Sequence, residues 1–319
     1  MPWRVRAWNT TRHESDLPSN TKKGNCNNNT HTPMALLLLL QILLAAAAAP
    51  AARAWGVEGH YMTCKIAEGL LTSEATEVVK GLLPEWTNSE LAKTCSWPDI
   101  ERPRMPWSRS LHFAANPGDC KFIYARDCHG TKGEKDMCVV GGINNYTAAL
   151  QDSSSPYNQT ESLLFLAHFL GDVHQPMHCG RTADRGGNDI PVTWYSTAIT
   201  NLHKVWDDKV IQTAMNKFYQ DDLSTMIDAI KLNLTENWST EENQWVACST
   251  QTTTCADKYA EESAELSCPA YVGVEPHSNL EGATTTYRPK LTSVIMTYLR
   301  CDTYDPLGLG IKTTCMVCR

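Results

Sequence analysis

Residues 161–173, ESLLFLAHFLGDV, limit how this chain can fold more than any other run. Apolar side chains at three-to-four spacing predict a helix, yet its interior carries His168 and Asp172. Four residues apart on a helix, these two project from one face. One such pair more often marks a hydrogen-bonded core histidine than a metal ligand. The spacing recurs, however, at His203 and Asp207 in NLHKVWDD, on the next amphipathic segment. Gln175-Pro176 ends the first helix and lets His178 turn back toward its C-terminal end. Two pairs plus a third histidine move the reading from core packing to a metal cluster. Zinc takes imidazole and carboxylate at about 2.0–2.2 Å, whereas a structural finger would use cysteines. The donor set therefore points to a hydrolytic zinc site.

The rest of the chain also reads as helix. HYMTCKIAEGLL (60–71), SEATEVVKGLL (73–83), INNYTAALQ (143–151), LHKVWDDKVIQTAMNKFY (202–219), DLSTMIDAIKLNL (222–234) and ADKYAEESAEL (256–266) carry the same periodicity. Pro and Gly cluster at 98–119 and 176–191, which predicts long loops between helices. The expected fold class is all-α, a single compact helical domain. Strand-like runs are few, and no repeat of solenoid length occurs.

Met34 opens an apolar run, ALLLLLQILLAAAAAP, that is too short to span a bilayer core of roughly 30 Å. Ala52-Arg53-Ala54 follows as a small-x-small cleavage pattern. Residues 34–54 thus read as a signal peptide that leaves Trp55 as the first mature residue. The polar, Asn-rich residues 1–33 read as a non-native extension. A free amine at Trp55, with its carbonyl and with His60 five residues on, adds a further ligand group. An α-amino group titrates near ~8, so a metal takes it neutral at little cost. Twelve of the 13 cysteines follow Trp55, which in a secreted chain implies disulfides. Asn145, Asn158, Asn233 and Asn237 head glycosylation tripeptides that fit the same compartment.

Net charge is −7, and without residues 1–54 the balance is 22 basic against 33 acidic side chains, or −11. Such a chain does not hold nucleic acid chiefly by a basic face. Any contact with nucleic acid must be local and metal-assisted.

Further short motifs complete a pattern: Trp-Gly-x-x-Gly-His at 55–60, Trp-Pro-Asp99, Leu-His112-Phe, His168-Phe-Leu-Gly-Asp172-Val-His-Gln-Pro-Met-His178, Gly-Gly-Asn188-Asp and Asn-Leu-His203-Lys-Val-Trp-Asp207. From Trp55 to about Tyr271 the chain resembles the plant class I zinc nucleases of the mung bean nuclease kind. They belong to the wider nuclease S-one and P-one family, which shares an all-helical fold with bacterial zinc phospholipase C.

The resemblance implies three zinc ions. Trp55, through amine and carbonyl, and His60 would hold one; Asp99, His112 and His168 would hold its neighbour; Asp172 would bridge the two. His178, His203 and Asp207 would hold the third, with His174 as a helix-capping or supporting residue rather than a ligand. In-line displacement at phosphorus follows, Asp99 orienting the attacking water and the third zinc facing the departing 3′ oxygen. The implied activity is endonucleolytic cleavage of single-stranded DNA and RNA to 5′-phosphate products, with 3′-nucleotidase activity. Phe113 is the candidate base-stacking surface and Asn188 the candidate phosphate contact; core packing and turn formation are their structural alternatives. The same resemblance suggests disulfides Cys64–Cys95, Cys120–Cys268, Cys128–Cys138 and Cys248–Cys255. A monomer with no membrane span and no stable protein partner is expected, extracellular or vacuolar.

Two departures stand out. The family usually has Asp or Asn two residues after the aromatic, where this chain has Ala115, so polar base recognition is weakened. The zinc nuclease domain is expected over 55–300, but residues 301–319 form an atypical tail, and Cys179, Cys301, Cys315 and Cys318 exceed the family pattern. Two other functions compete: a phospholipase C on the same scaffold, and a secreted zinc-binding glycoprotein that has lost catalysis.

Overall fold

The computed structural model describes residues 55–195, 199–236 and 254–280. The leader, Asn237, Cys248 and the tail with Cys301, Cys315 and Cys318 lie outside the described residues. All described residues belong to the unit Ala52–Arg319.

Helix α1, Val57–Glu68, buries Met62, Ile66 and Ala67. It starts three residues before the apolar periodicity does. Gly56 supplies no side-chain cap, and its N–H instead donates to Asp207 O at 2.9 Å. A bond to a residue about 150 positions away leaves no local start signal. Helix α2, Ser73–Leu82, does have one, since the Thr72 side chain accepts from Ala75 N. The 98–119 stretch departs from the expected long loop. It holds helix α3, Trp97–Glu101, and a 3₁₀ turn, Pro106–His112, before α4, Tyr124–Asp127. Such short turns carry too few residues to show a period.

The centre of the molecule is α6, Gln159–Val173, capped by Asn158, whose Oδ1 accepts from Glu161 N at 3.0 Å. Its residues Ser162–Phe169 are all buried, as expected for a helix apolar on every side. Helix α5, Val139–Gln151, packs along it. Gly142 permits that approach, because a Cβ there would lie 3.0 Å from Phe169 Cδ2. Phe165 collects an aromatic cluster: Tyr146 stacks on it at 5.0 Å, while Trp97 and Trp107 each meet it at 5.6 Å. Burying Phe165 stabilises the fold by about 1.5–3 kcal/mol and pins the segment carrying Asp99 and His112 against α6.

The 176–191 stretch likewise holds 3₁₀ turns, Pro176–Cys179 and Thr182–Asp184. Strands β1, Pro191–Thr193, and β2, Ile199–Asn201, pair antiparallel with Val192 opposite Thr200. They form the one sheet among the described residues. The segment read as a single helix over 202–219 has three parts: α7, Leu202–Lys204, a π turn, Val205–Lys209, and α8, Val210–Phe218. Helices α9, Leu223–Glu236, and α10, Ala256–Tyr271, follow. Trp55, Ile66, Met177, Trp206, Ile211 and Ile227 share one core cluster. Among the described residues no helix is long and apolar enough to cross a membrane.

Disulfides join Cys64 to Cys95, Cys120 to Cys268 and Cys128 to Cys138. Cys255 is disulfide-bonded too, and Cys179 is a buried free thiol. Asn158 is exposed, whereas Asn145 and Asn233 are half-buried on α5 and α9.

Candidate metal centre

Eight buried imidazoles and carboxylates converge from separate elements, none more than 7% exposed. His60 comes from α1, Asp99 from α3 and His112 from the end of the 106–112 turn. His168 and Asp172 lie one turn apart on α6, and His178 follows on the 176–179 turn. His203 and Asp207 come from α7 and the π turn. Trp55, 1% exposed, precedes α1, and the Gly56–Asp207 bond brings its backbone beside Asp207.

Asp172 divides the cluster. Its Oδ2 lies 3.0 Å from His112 Nδ1 and 3.1 Å from His168 Nε2, and those two nitrogens are 3.0 Å apart. Its other oxygen, Oδ1, faces His60 Nε2 at 3.3 Å. Asp99 Oδ1 stands at 3.7 Å from His112 Nδ1 and 4.0 Å from His168 Nε2. In the third group, His203 Nε2 is 3.5 Å and His178 Nε2 4.0 Å from Asp207 oxygens. Ligands at ~2.0 Å around a tetrahedral ion lie roughly 3.3 Å apart, so these separations suit a metal ion.

Hydrogen bonds at the far ring nitrogens set the tautomers. His168 Nδ1–H donates to Cys95 O at 2.6 Å, His178 Nδ1–H to His112 O at 2.5 Å and His203 Nδ1–H to Gly186 O at 2.7 Å. Each leaves an Nε2 lone pair aimed into the cluster. His60 Nε2, His178 Nε2 and Asp172 Oδ1 are buried without a hydrogen-bond partner, and Asp99 Oδ1 has an ion-pair contact with Arg102 but no hydrogen bond. Convergent lone pairs of this kind need a cation.

Electrostatics agree. Burial, reinforced by neighbouring imidazoles, holds His60, His112 and His178 well below the usual histidine range. Burial also lowers His203 to about 4. Burial pushes Asp172 up to about 7 and Asp207 well above the carboxylate range. At His168 burial acts downward, but the Asp172 and Asp99 carboxylates and the Cys95 carbonyl together outweigh it, and the net shift is up. Neutral imidazole is the ligand form, and a metal ion is what lets such carboxylates ionise.

Of the other sequence candidates, Phe113 is 40% exposed beside His112 rather than packed in the core. Asn188 is half-buried, and its Nδ2 donates to Arg185 O at 2.8 Å, which leaves one amide hydrogen for another acceptor. His174 caps α6, its Nδ1 donating to Leu170 O at 2.7 Å. Two further residues bear on the site without a strong sequence signal. Arg102, 9% exposed at the C-cap of α3, brings Nη1 within 3.4 Å of Asp99 Oδ1, and its signal is the Asp-x-x-Arg spacing across the end of that helix. Gln175, read only as a helix end, donates from Nε2 to Asp207 Oδ1 at 2.5 Å and accepts from Met177 N. A contact across 32 residues leaves no sequence pattern.

Comparison with known proteins fits this geometry. The family model for S1/P1 nuclease matches residues 55–300, and the chain belongs to that family of phosphodiester hydrolases. The match decides against the phospholipase C alternative. Endonuclease 4 of Arabidopsis thaliana is 43% identical over 239 residues, covering 72% of this chain and 80% of the relative. Endonuclease 2 of the same plant is 44% identical, with 73% and 82% covered. Nuclease P1 of Penicillium citrinum is 33% identical over 233 residues, with 70% and 83% covered.

Proposed function

We propose that this chain is a secreted, monomeric, zinc-dependent endonuclease that hydrolyses single-stranded DNA and RNA to 5′-phosphate products and also acts as a 3′-nucleotidase. The observation that carries the reading is Asp172, whose two oxygens face different donor groups, with a third group at His178, His203 and Asp207. Trp55 and His60 would hold one zinc, Asp99, His112 and His168 a second, with Asp172 shared; the third group would hold the last. When bound, the zinc ions supply a water acidic enough to ionise near neutral pH and positive charge for the phosphoryl oxygens.

The chain's own residues do the rest. Asp99 sits at the edge of the shared site, where its carboxylate orients the attacking water. Arg102, held 3.4 Å from Asp99, would offer its guanidinium to a phosphoryl oxygen. Phe113 offers an exposed ring to one unstacked base, a contact worth about 1–3 kcal/mol that every base can make. A base in a duplex is already stacked, so single strands are preferred. Asn188 donates its remaining amide hydrogen to a phosphate. Ala115 offers no polar group, and the neighbouring Asn116 is 1% exposed with its amide on Cys179 O at 2.6 Å. Discrimination among bases is therefore shallow.

Secretion is supported by the 34–54 leader pattern, by the disulfides and by a family match that begins at Trp55. The test is digestion of matched single-stranded and duplex substrates, followed by end-group analysis. Faster loss of the single strand with 5′-phosphate ends is expected. Equal rates on both, or 3′-phosphate ends, would overturn the proposal.

A further inference from the structure

His203 stacks on the His178 ring at 5.0 Å, and its Nδ1–H is directed by the carbonyl of Gly186, which accepts it at 2.7 Å. Gly186 and Gly187 both adopt positive φ, 64° and 81°, where glycine is at ease and the backbone is soft. A bulkier residue does not fit, since a Cβ at Gly186 would stand 2.2 Å from Met177 O. Something else must therefore hold this peptide still.

The carbonyl of Gly186 and the N–H of Gly187 belong to one planar peptide group, so fixing the N–H aims the C=O. Asp184 Oδ1 accepts that N–H at 2.7 Å. The same oxygen accepts the Tyr271 hydroxyl at 3.0 Å, and the Tyr271 oxygen in turn accepts Arg181 N–H at 3.2 Å. The Arg181 guanidinium lies 3.9 Å over the Tyr271 ring, and Arg181 O accepts Gly186 N at 2.8 Å. Tyr271 is 6% exposed at the end of α10, three residues after Cys268, which is tied to Cys120. The turn that aims His203, and that also carries Asn188, is thus braced by the last turn of a helix anchored elsewhere.

We propose that Tyr271 and Asp184 are positioning residues for the third zinc, acting through the Gly186–Gly187 peptide to hold His203 in its ligating tautomer and direction. This rests on reading His178, His203 and Asp207 as one zinc site. Tyr271→Phe removes only the hydroxyl and keeps the ring under Arg181. Asp184→Asn keeps an acceptor oxygen for both donors, whereas Asp184→Ala removes it.

The experiment loads each variant with zinc, titrates it with a competing chelator and counts zinc per chain, with unfolding temperature measured alongside. Tyr271→Phe and Asp184→Ala should lose one zinc about tenfold more readily than wild type while the other two hold. Asp184→Asn should stay near wild type. Wild-type retention of all three zincs by Tyr271→Phe would overturn the assignment, as would parallel loss of all three or failure of Asp184→Asn to rescue. A wild type that binds fewer than three zincs would instead overturn the cluster reading, and this proposal with it.

Discussion

Replacing Asp172 by asparagine should stabilise the metal-free protein while it disables the metal-bound one. Burial raises this carboxyl to about 7. A carboxyl whose folded pKa is raised favours folding fully below its unfolded value near ~4 and loses that contribution as pH rises through the folded value. A rise of about three pH units at roughly 1.4 kcal/mol each makes the full penalty about 4 kcal/mol above pH 7. Asparagine fills the same space without charge, but His168 then loses an ion partner 3.1 Å away, which returns part of the gain. The net expectation is about 2–4 kcal/mol, or roughly 5–15 °C in unfolding temperature for a domain of this size. Thermal unfolding at pH 8 in chelator should show the variant above wild type, with the gap shrinking by pH 5. Zinc should invert the order, since the variant loses the oxygen pair that faces two donor groups. A metal-free variant less stable than wild type at pH 8, or a gap indifferent to pH, would refute the reasoning.

Asp207→Asn should remove one zinc and leave the Asp172-bridged pair, as atomic absorption of the purified variants would show; loss of two would break the assignment. One extra residue before Trp55 should cost one zinc and most turnover, because the mature amine is then displaced; full activity with three metals would contradict this. Phe113→Ala should raise KM for all four homopolymers together, whereas Ala115→Asp should sharpen the ranking among them without changing zinc content; an unchanged ranking would place base recognition elsewhere.

The two His-x-x-x-Asp pairs were legible because helical periodicity alone brings residues four apart together, and their apolar flanks mark that face as buried. His112 and Asp99 were legible only by resemblance, since the short turns that carry them have no period to read. Arg102 and Gln175 act through contacts that exist only after packing, as does the Gly56–Asp207 bond that starts α1. The π turn at Val205–Lys209 was hidden for a related reason: one extra residue in a turn barely disturbs an amphipathic pattern, yet it sets where Asp207 points.

A three-zinc centre that does the cutting makes metal content and activity rise and fall together. Zinc per chain should be counted on protein beginning at Trp55, and the same sample assayed on single-stranded DNA before chelation, after it and after zinc is returned. Three zincs, activity abolished by the chelator and restored by zinc alone are predicted. Fewer than three zincs in the active protein, or cleavage that survives their removal, would contradict it.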